Sequence, residues 1–232
     1  MYITNNPDVA TIAENAGVDR VFVDMEYIGK SLRQGGMDTV QSHHTLEDVA
    51  RMRATVKKAE LLVRCNPIHE KTADYSSSKE EIDGIIERGA DVIMLPYFKT
   101  PKEVEQFVRL VDGRAKTLPL METAEANEGA DEILQVDGID EIYVGLNDMS
   151  LAYGHRFMFK LLADGTVDRL AEKFQKKVFT FLTMLIAMIF FIVIIVLLKD
   201  KPDIMEKILY AVGGVIAGAF GGYGLGKKQS DE

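Results

Sequence analysis

IYVGLNDMS at residues 142–150 and LPLMETAEA at residues 118–126 are the stretches on which the reading of this chain turns. Each is a short apolar run that breaks off at a carboxylate, Asp148 in the first and Glu122 in the second. A buried parallel strand has this form. Both its faces are covered, so it shows no polar alternation, and its carboxyl end opens on the edge where α/β proteins keep their ligand sites. Two such ends side by side offer hard oxygen ligands to a divalent cation.

Working outward from these runs, strand-like and helix-like segments alternate through the first 174 residues. Strands are predicted at 2–4, 20–25, 60–64, 92–95, 117–121 and 141–144, and helices at 6–16, 45–58, 78–88, 101–111, 127–135 and 167–177. Asn6 before Pro7 and Thr45 before its apolar run are N-cap signals. Three segments repeat a Gly-x-Asp opening: GVDRVFVD from Gly17, GADVIMLP from Gly89 and GIDEIYVG from Gly138. The glycine is predicted to end a helix in the left-handed conformation, and a short turn then enters a buried strand. Repeated βα units of this kind build either an open doubly wound sheet or a closed (β/α)₈ barrel. No GxGxxG follows the first strand, against the dinucleotide-binding version. Six strands are two short of a closed barrel.

At 232 residues the chain can hold one sizeable domain and an appendage. A net charge of −9 without a cluster of Lys and Arg argues against a nucleic-acid surface. The one cysteine, Cys65, excludes an intrachain disulfide and fits a reducing compartment. MYITNNPDVA has no basic region ahead of an apolar core, so no secretory signal is expected.

The composition changes sharply after Lys177. Residues 178–198, VFTFLTMLIAMIFFIVIIVLL, carry no charge and match the ~20 helical residues that cross a bilayer. The charged loop KDKPDIMEK at 199–207 separates this run from a second one at 208–226. The expectation is a domain over 1–174 and a two-helix transmembrane hairpin over 175–232. Gly214, Gly218, Gly222 and Gly226 recur every fourth residue and would form a flat helix-packing face, open also to homo-oligomer formation. Lys176, Lys177, Lys227 and Lys228 flank the two spans, so the positive-inside rule places the N-terminal domain and both termini in the cytoplasm.

The blocks VFVDMEY, LLVRCN, VIMLPYFKTPKEVEQFV, LMETAEA and YVGLNDMSLAYG occur in order, and together they resemble the HpcH/HpaI aldolase/citrate lyase family. The resemblance implies an incomplete (β/α)₈ TIM-barrel-like domain binding Mg²⁺ or Mn²⁺. It implies cleavage or formation of carbon–carbon bonds beside the enolate of a 2-oxo acid or acyl-thioester. Matched residue by residue, Glu122 and Asp148 take the place of the metal-binding carboxylates. Arg64 takes that of the group facing the substrate carboxylate or enolate oxygen, and Glu26 that of an acidic catalytic group. Tyr27 stands where aldolase members carry the acid/base histidine, and Leu120 where a glutamine often precedes the metal-binding glutamate. Arg64 also reads as an ion-pair partner of Glu26 or Glu122, Asp24 as a loop anchor, and His43 and His44 as helix entry. A rival reading makes the chain a small membrane protein that associates through its glycine face, with an inactive barrel remnant.

Overall fold

The structure, a computed structural model, describes residues 1–30 and 42–198, with some side chains beyond Lys177 excepted. By contact the chain forms two compact units, Met1–Phe174 and Gln175–Glu232.

The first unit is built on six parallel strands: β1 (Tyr2–Ile3), β2 (Arg20–Asp24), β3 (Glu60–Arg64), β4 (Val92–Leu95), β5 (Lys116–Met121) and β6 (Tyr143–Val144). Their order in the sheet is their order in the chain. A doubly wound sheet reverses direction partway across, so this singly wound order decides between the two architectures left open by the sequence. The connecting helices are α1 (Pro7–Asn15), α2 (Leu46–Thr55), α3 (Ser78–Glu87), α4 (Pro101–Val111), α5 (Ala124–Glu128), α6 (Ala130–Ile133), α7 (Leu146–Ala152), α8 (Lys160–Ala163) and α9 (Thr166–Leu198). Asn6 caps α1 by accepting from the Asp8 and Val9 amides, and Thr45 and Asp48 form a reciprocal capping box on α2.

The period-two alternation of each strand divides its side chains between two apolar layers. Phe22, Leu62, Val92, Met94, Leu118 and Leu120 form one cluster inside the curl of the sheet. Val21, Val23, Leu61, Val63, Ile93, Leu95 and Met121 join the helices in the larger cluster outside it. Arg20 at the start of β2 bonds to Glu141 just ahead of β6. Flat strands four steps apart would lie ~19 Å from each other, so this contact records how strongly the sheet curls.

Gly17 and Gly89 end their helices as predicted, with φ of 87° and 85°, whereas Gly138, at 86°, lies in a turn of its own beyond the end of α6 at Ile133. Several elements differ from the sequence reading, and α7 and α8 have no predicted counterpart. The predicted helix over 127–135 is two short ones, α5 and α6, broken at Gly129. The last strand keeps only two residues, and Asp148 lies in the first turn of α7 rather than on the strand. A carboxylate there is favoured by the helix dipole.

β1 and β6 are the edges of the sheet. Tyr2, Ile3 and Tyr143 on them are 47, 48 and 44 % exposed, the apolar surface that further strands of a closed barrel would cover. In the second unit, α9 carries the uncharged run as a continuous helix. Among the described residues no helix is long and apolar enough to cross a membrane. Some side chains of the expected first span and all of the expected second lie outside those residues, as do Gly214, Gly218, Gly222 and Gly226.

A substitution pair tests the glycine turns. A Cβ at Gly17 meets nothing within 4 Å, whereas one at Gly138 would lie 2.6 Å from Val108 Cγ1. Gly17→Ala should cost only the left-handed strain, ~1 kcal/mol, and Gly138→Ala distinctly more, as read by urea denaturation. Equal losses would contradict this account.

Candidate functional site

The carboxyl ends of β2, β3 and β5 and the start of α7 bring together charges that the sequence placed on separate segments. Asp24, the last residue of β2, is 2 % exposed. It accepts from Arg64 Nε and Nη2 at 2.8 and 2.7 Å, and from Lys30 Nζ at 2.9 Å. Arg64 Nη1 lies 3.2 Å from Glu26, and Lys30 Nζ 3.6 Å from it. Burial raises the Asp24 pKa, but Arg64 and Lys30 outweigh it and hold the carboxyl below its usual range. Burial works against the Arg64 charge, yet Asp24, Glu26 and Glu122 together raise its pKa. Arg64 is thus an ion-pair partner of Asp24 as well as of Glu26, and Asp24 is the centre of the network as well as the expected loop anchor, accepting the Glu26 backbone N–H at 3.2 Å.

Glu122 directly follows β5 and is 5 % exposed. Its Oε1 accepts from the backbone N–H of Tyr97 at 2.9 Å. Tyr97 adopts the left-handed φ of 51°, which non-glycine residues seldom do. Burial, then the charges of Glu26 and Asp148, push the Glu122 pKa up to about 8. Asp148 is 7 % exposed. Glu122 and Asp148 line one cavity of about 420 Å³, together with Tyr97, Lys99, Thr123, Glu125 and Leu151. Lys99 pairs with Glu125 at 2.8 Å on its rim.

Tyr27 belongs to a second cavity, of about 240 Å³, which His44, Asn66, His69, Tyr75 and Glu81 also line. Its ring lies 5.5 Å from that of Tyr75. Burial, Glu81 and Tyr75 raise its pKa, so it is a still poorer proton acceptor than an ordinary tyrosine. His44 enters α2 as predicted and also accepts the Asp24 N–H on Nδ1 at 3.0 Å. Burial lowers the His44 pKa.

Sequence reasoning missed Lys30, Asn66, Glu81 and Tyr97. Asn66 Oδ1 accepts the backbone N–H groups of Tyr27 and Ile28 at 3.0 and 2.9 Å. Glu81 in turn accepts from the Asn66 amide and side chain at 3.1 and 2.9 Å. This chain of bonds fixes the turn that presents Glu26. Asn66 lies two residues beyond Arg64 on the same side of its segment, a period-two signal that could have found it.

Among the described residues there is no group of three or more His, Cys, Asp or Glu set to hold a metal ion. Glu122 and Asp148, the expected metal ligands, share a cavity as two carboxylates. Two carboxylates suit a hard cation such as Mg²⁺, which keeps waters or substrate oxygens in its other positions.

The family model HpcH/HpaI aldolase/citrate lyase matches residues 1–158. No curated protein matches the chain in sequence. The fold is shared with solved structures. The HpcH/HpaI aldolase from Desulfitobacterium hafniense DCB-2 is 17 % identical with a TM-score of 0.58, over 75 % of this chain and 71 % of that one. An HpcH/HpaI aldolase/citrate lyase family protein from Burkholderia cenocepacia J2315 is 16 % identical with a TM-score of 0.58, over 75 % and 73 %. The citrate synthase SbnG is 19 % identical with a TM-score of 0.56, over 75 % and 71 %.

The raised Glu122 pKa has a measurable consequence in metal-free protein. Between the ordinary 4.5 and about 8 the folded state binds the proton and the unfolded state does not, so stability falls as pH rises through that window. Each unit is worth ~1.4 kcal/mol. In EDTA, Glu122→Gln should melt several degrees above the natural protein at pH 8, and the two should converge near pH 5. Parallel melting curves across that range would show that Glu122 ionises normally.

Proposed function

The chain belongs to the HpcH/HpaI aldolase/citrate lyase family, and on that premise we propose that it is a metal-dependent carbon–carbon lyase acting on a small 2-oxo acid or acyl-thioester through an enolate. One observation carries this reading. Glu122 and Asp148 are buried on one cavity, and burial, then the negative charges of Glu26 and Asp148, lift the Glu122 pKa to about 8. That negative charge fits Mg²⁺ or Mn²⁺, because hard anionic oxygens are the ligands these cations take and a divalent charge relieves the repulsion. When bound, the cation polarises a carbonyl and stabilises the charge that develops on its oxygen.

The chain's own residues divide the remaining work. Glu122 and Asp148 hold the cation, and the Tyr97 N–H keeps Glu122 Oε1 turned to one side. Arg64, fixed by its two bonds to Asp24, presents a permanent positive charge to the substrate carboxylate or enolate oxygen. Tyr27 faces a different cavity. Proton transfer is left to Glu26, the buried carboxylate beside Arg64 and within electrostatic reach of Glu122.

The second unit supports a membrane tether. Residues 178–198 hold no Asp, Glu, Lys or Arg, run within one helix, and leave Phe179, Met184 and Phe190 at 72, 68 and 65 % exposure. Large apolar groups so exposed are stable in lipid rather than water. By the positive-inside rule such a tether would leave the first unit in the cytoplasm.

Two measurements test these readings. With Mg²⁺ or Mn²⁺ the protein should release pyruvate from a 4-hydroxy-2-oxo acid. EDTA, Glu122→Ala or Asp148→Ala should each lower the rate by ~10³-fold or more, and folded protein that binds no divalent cation in a calorimeter rules the lyase out. The protein should also stay with membranes through an alkaline carbonate wash and leave them only in detergent, while recovery in the wash removes the tether.

A further inference from the structure

β6 is held by few bonds. Its ladder to β5 has two registered pairs, Leu120 with Tyr143 and Met121 with Val144, and no strand among the described residues pairs with its other edge. Both halves of the carboxylate site nevertheless depend on it. Asp148 follows four residues after Val144, in the first turn of α7. The backbone at Gly145 is the wall against which Glu122 rests, since a Cβ there would lie 2.8 Å from Glu122 Cβ and 3.0 Å from its Oε2. A displacement of β6 by ~1 Å would therefore move one carboxylate and unseat the other, and offsets of that size matter to sites that need fixed geometry.

Thr117 holds the turn ahead of β6 through Asp140 and Gly138, and a second support comes from inside the curl. Arg20, the first residue of β2, donates from Nη1 to Glu141 Oε2 at 2.7 Å and from Nη2 to Glu141 Oε1 at 2.6 Å. Its Nε donates to Glu60 Oε2 at 2.8 Å, and Lys116 Nζ donates to Glu60 Oε1 at 2.5 Å. The side chains of Arg20 and Glu141 are 17 and 35 % exposed, so the pair is only partly screened. A bidentate guanidinium–carboxylate pair fixes orientation as well as distance, which a single lysine bond would not. Glu141 ends two residues before β6, and its backbone N–H donates to Thr117 O at 3.1 Å, so its carboxylate and main chain anchor the entry to the strand from two directions.

We propose that Arg20 is a positioning residue of the carboxylate site: its grip on Glu141 sets the height and tilt of β6, and through β6 the placement of Asp148 and Glu122. This rests on the reading of those two carboxylates as metal ligands. Arg20 touches neither cation nor substrate. It does from within the sheet what a seventh strand would do from the outer edge.

The test is Mn²⁺ binding by calorimetry to the full-length protein, as the natural chain, Arg20→Met, Glu141→Gln and the double variant, with amide hydrogen exchange over residues 141–148. Each single change should raise the Mn²⁺ dissociation constant ~10-fold or more, the size of effect seen when a group supporting a metal ligand is lost. The double variant should lose no more than Arg20→Met alone, because that change already removes the Glu141 contact along with the bond to Glu60. Exchange over 141–148 should quicken in both singles while that of β3 stays unchanged, a pattern general destabilisation does not produce. Natural-strength binding in the singles, additive losses in the double, or unchanged exchange over 141–148 overturns the proposal. A natural chain that binds no Mn²⁺ refutes the metal reading itself, a result separable from the others because it needs no variant.

Discussion

The Asp24 carboxylate, buried and held by two bonds from Arg64, is the interaction on which the candidate site depends. An isolated charge at 2 % exposure would be costly, and the pair is tolerable because nearly every charged atom finds a partner. Lys30 takes a second side of Asp24, His44 accepts from its backbone N–H, and the remaining arm of Arg64 reaches Glu26. Removing Asp24 would leave two cations against each other. Removing Arg64 would leave Asp24 and Glu26 beside the already overcharged Glu122. The network fixes the carboxyl ends of β2 and β3 in one register, and the cavity between β5 and α7 opens beside them.

Much of the frame was legible because parallel strands with both faces covered announce themselves as apolar runs, and because Gly17, Gly89 and Gly138 each require a left-handed turn. Glu122 and Asp148 were legible for a related reason, since a carboxylate that breaks an apolar run is conspicuous. Asp148 was nonetheless placed on the strand when it belongs to the helix after it, because the chain passes from β6 to α7 at Gly145 without a loop. Lys30, Tyr97 and Glu81 stayed hidden. They reach the site through turns, where contacts follow no period, and Tyr97 acts through its main chain, on which side-chain identity says little. Arg20 and Glu141 open the predicted strands at 20–25 and 141–144, and only the curl of the sheet brings them together.

Tyr27 shows how one residue can alter a site without changing its frame. The turn that carries it is fixed by Asn66 and Glu81, and the Tyr27 side chain turns toward Tyr75 in a neighbouring cavity. A ring tilted against Tyr75 there lines a cavity other than that of the carboxylate pair, and its raised pKa makes it a poor base. Glu122, Asp148 and Arg64 thus keep their places in the frame, while Tyr27 turns to another cavity.

The order of strands in the sheet also governs how the protein is made. Because β1 to β6 pair in chain order, each new strand docks on the one that left the ribosome just before it, and the loops to be closed are short. The bond between Arg20 and Glu141 breaks that rule, for it joins residues 121 apart. Its closure waits until β6 has been synthesised, so the carboxylate cavity is completed only as the uncharged run of α9 begins to follow. Synthesis therefore delivers the closed cavity and the apolar helix almost together, so the first unit has only just closed when that helix emerges.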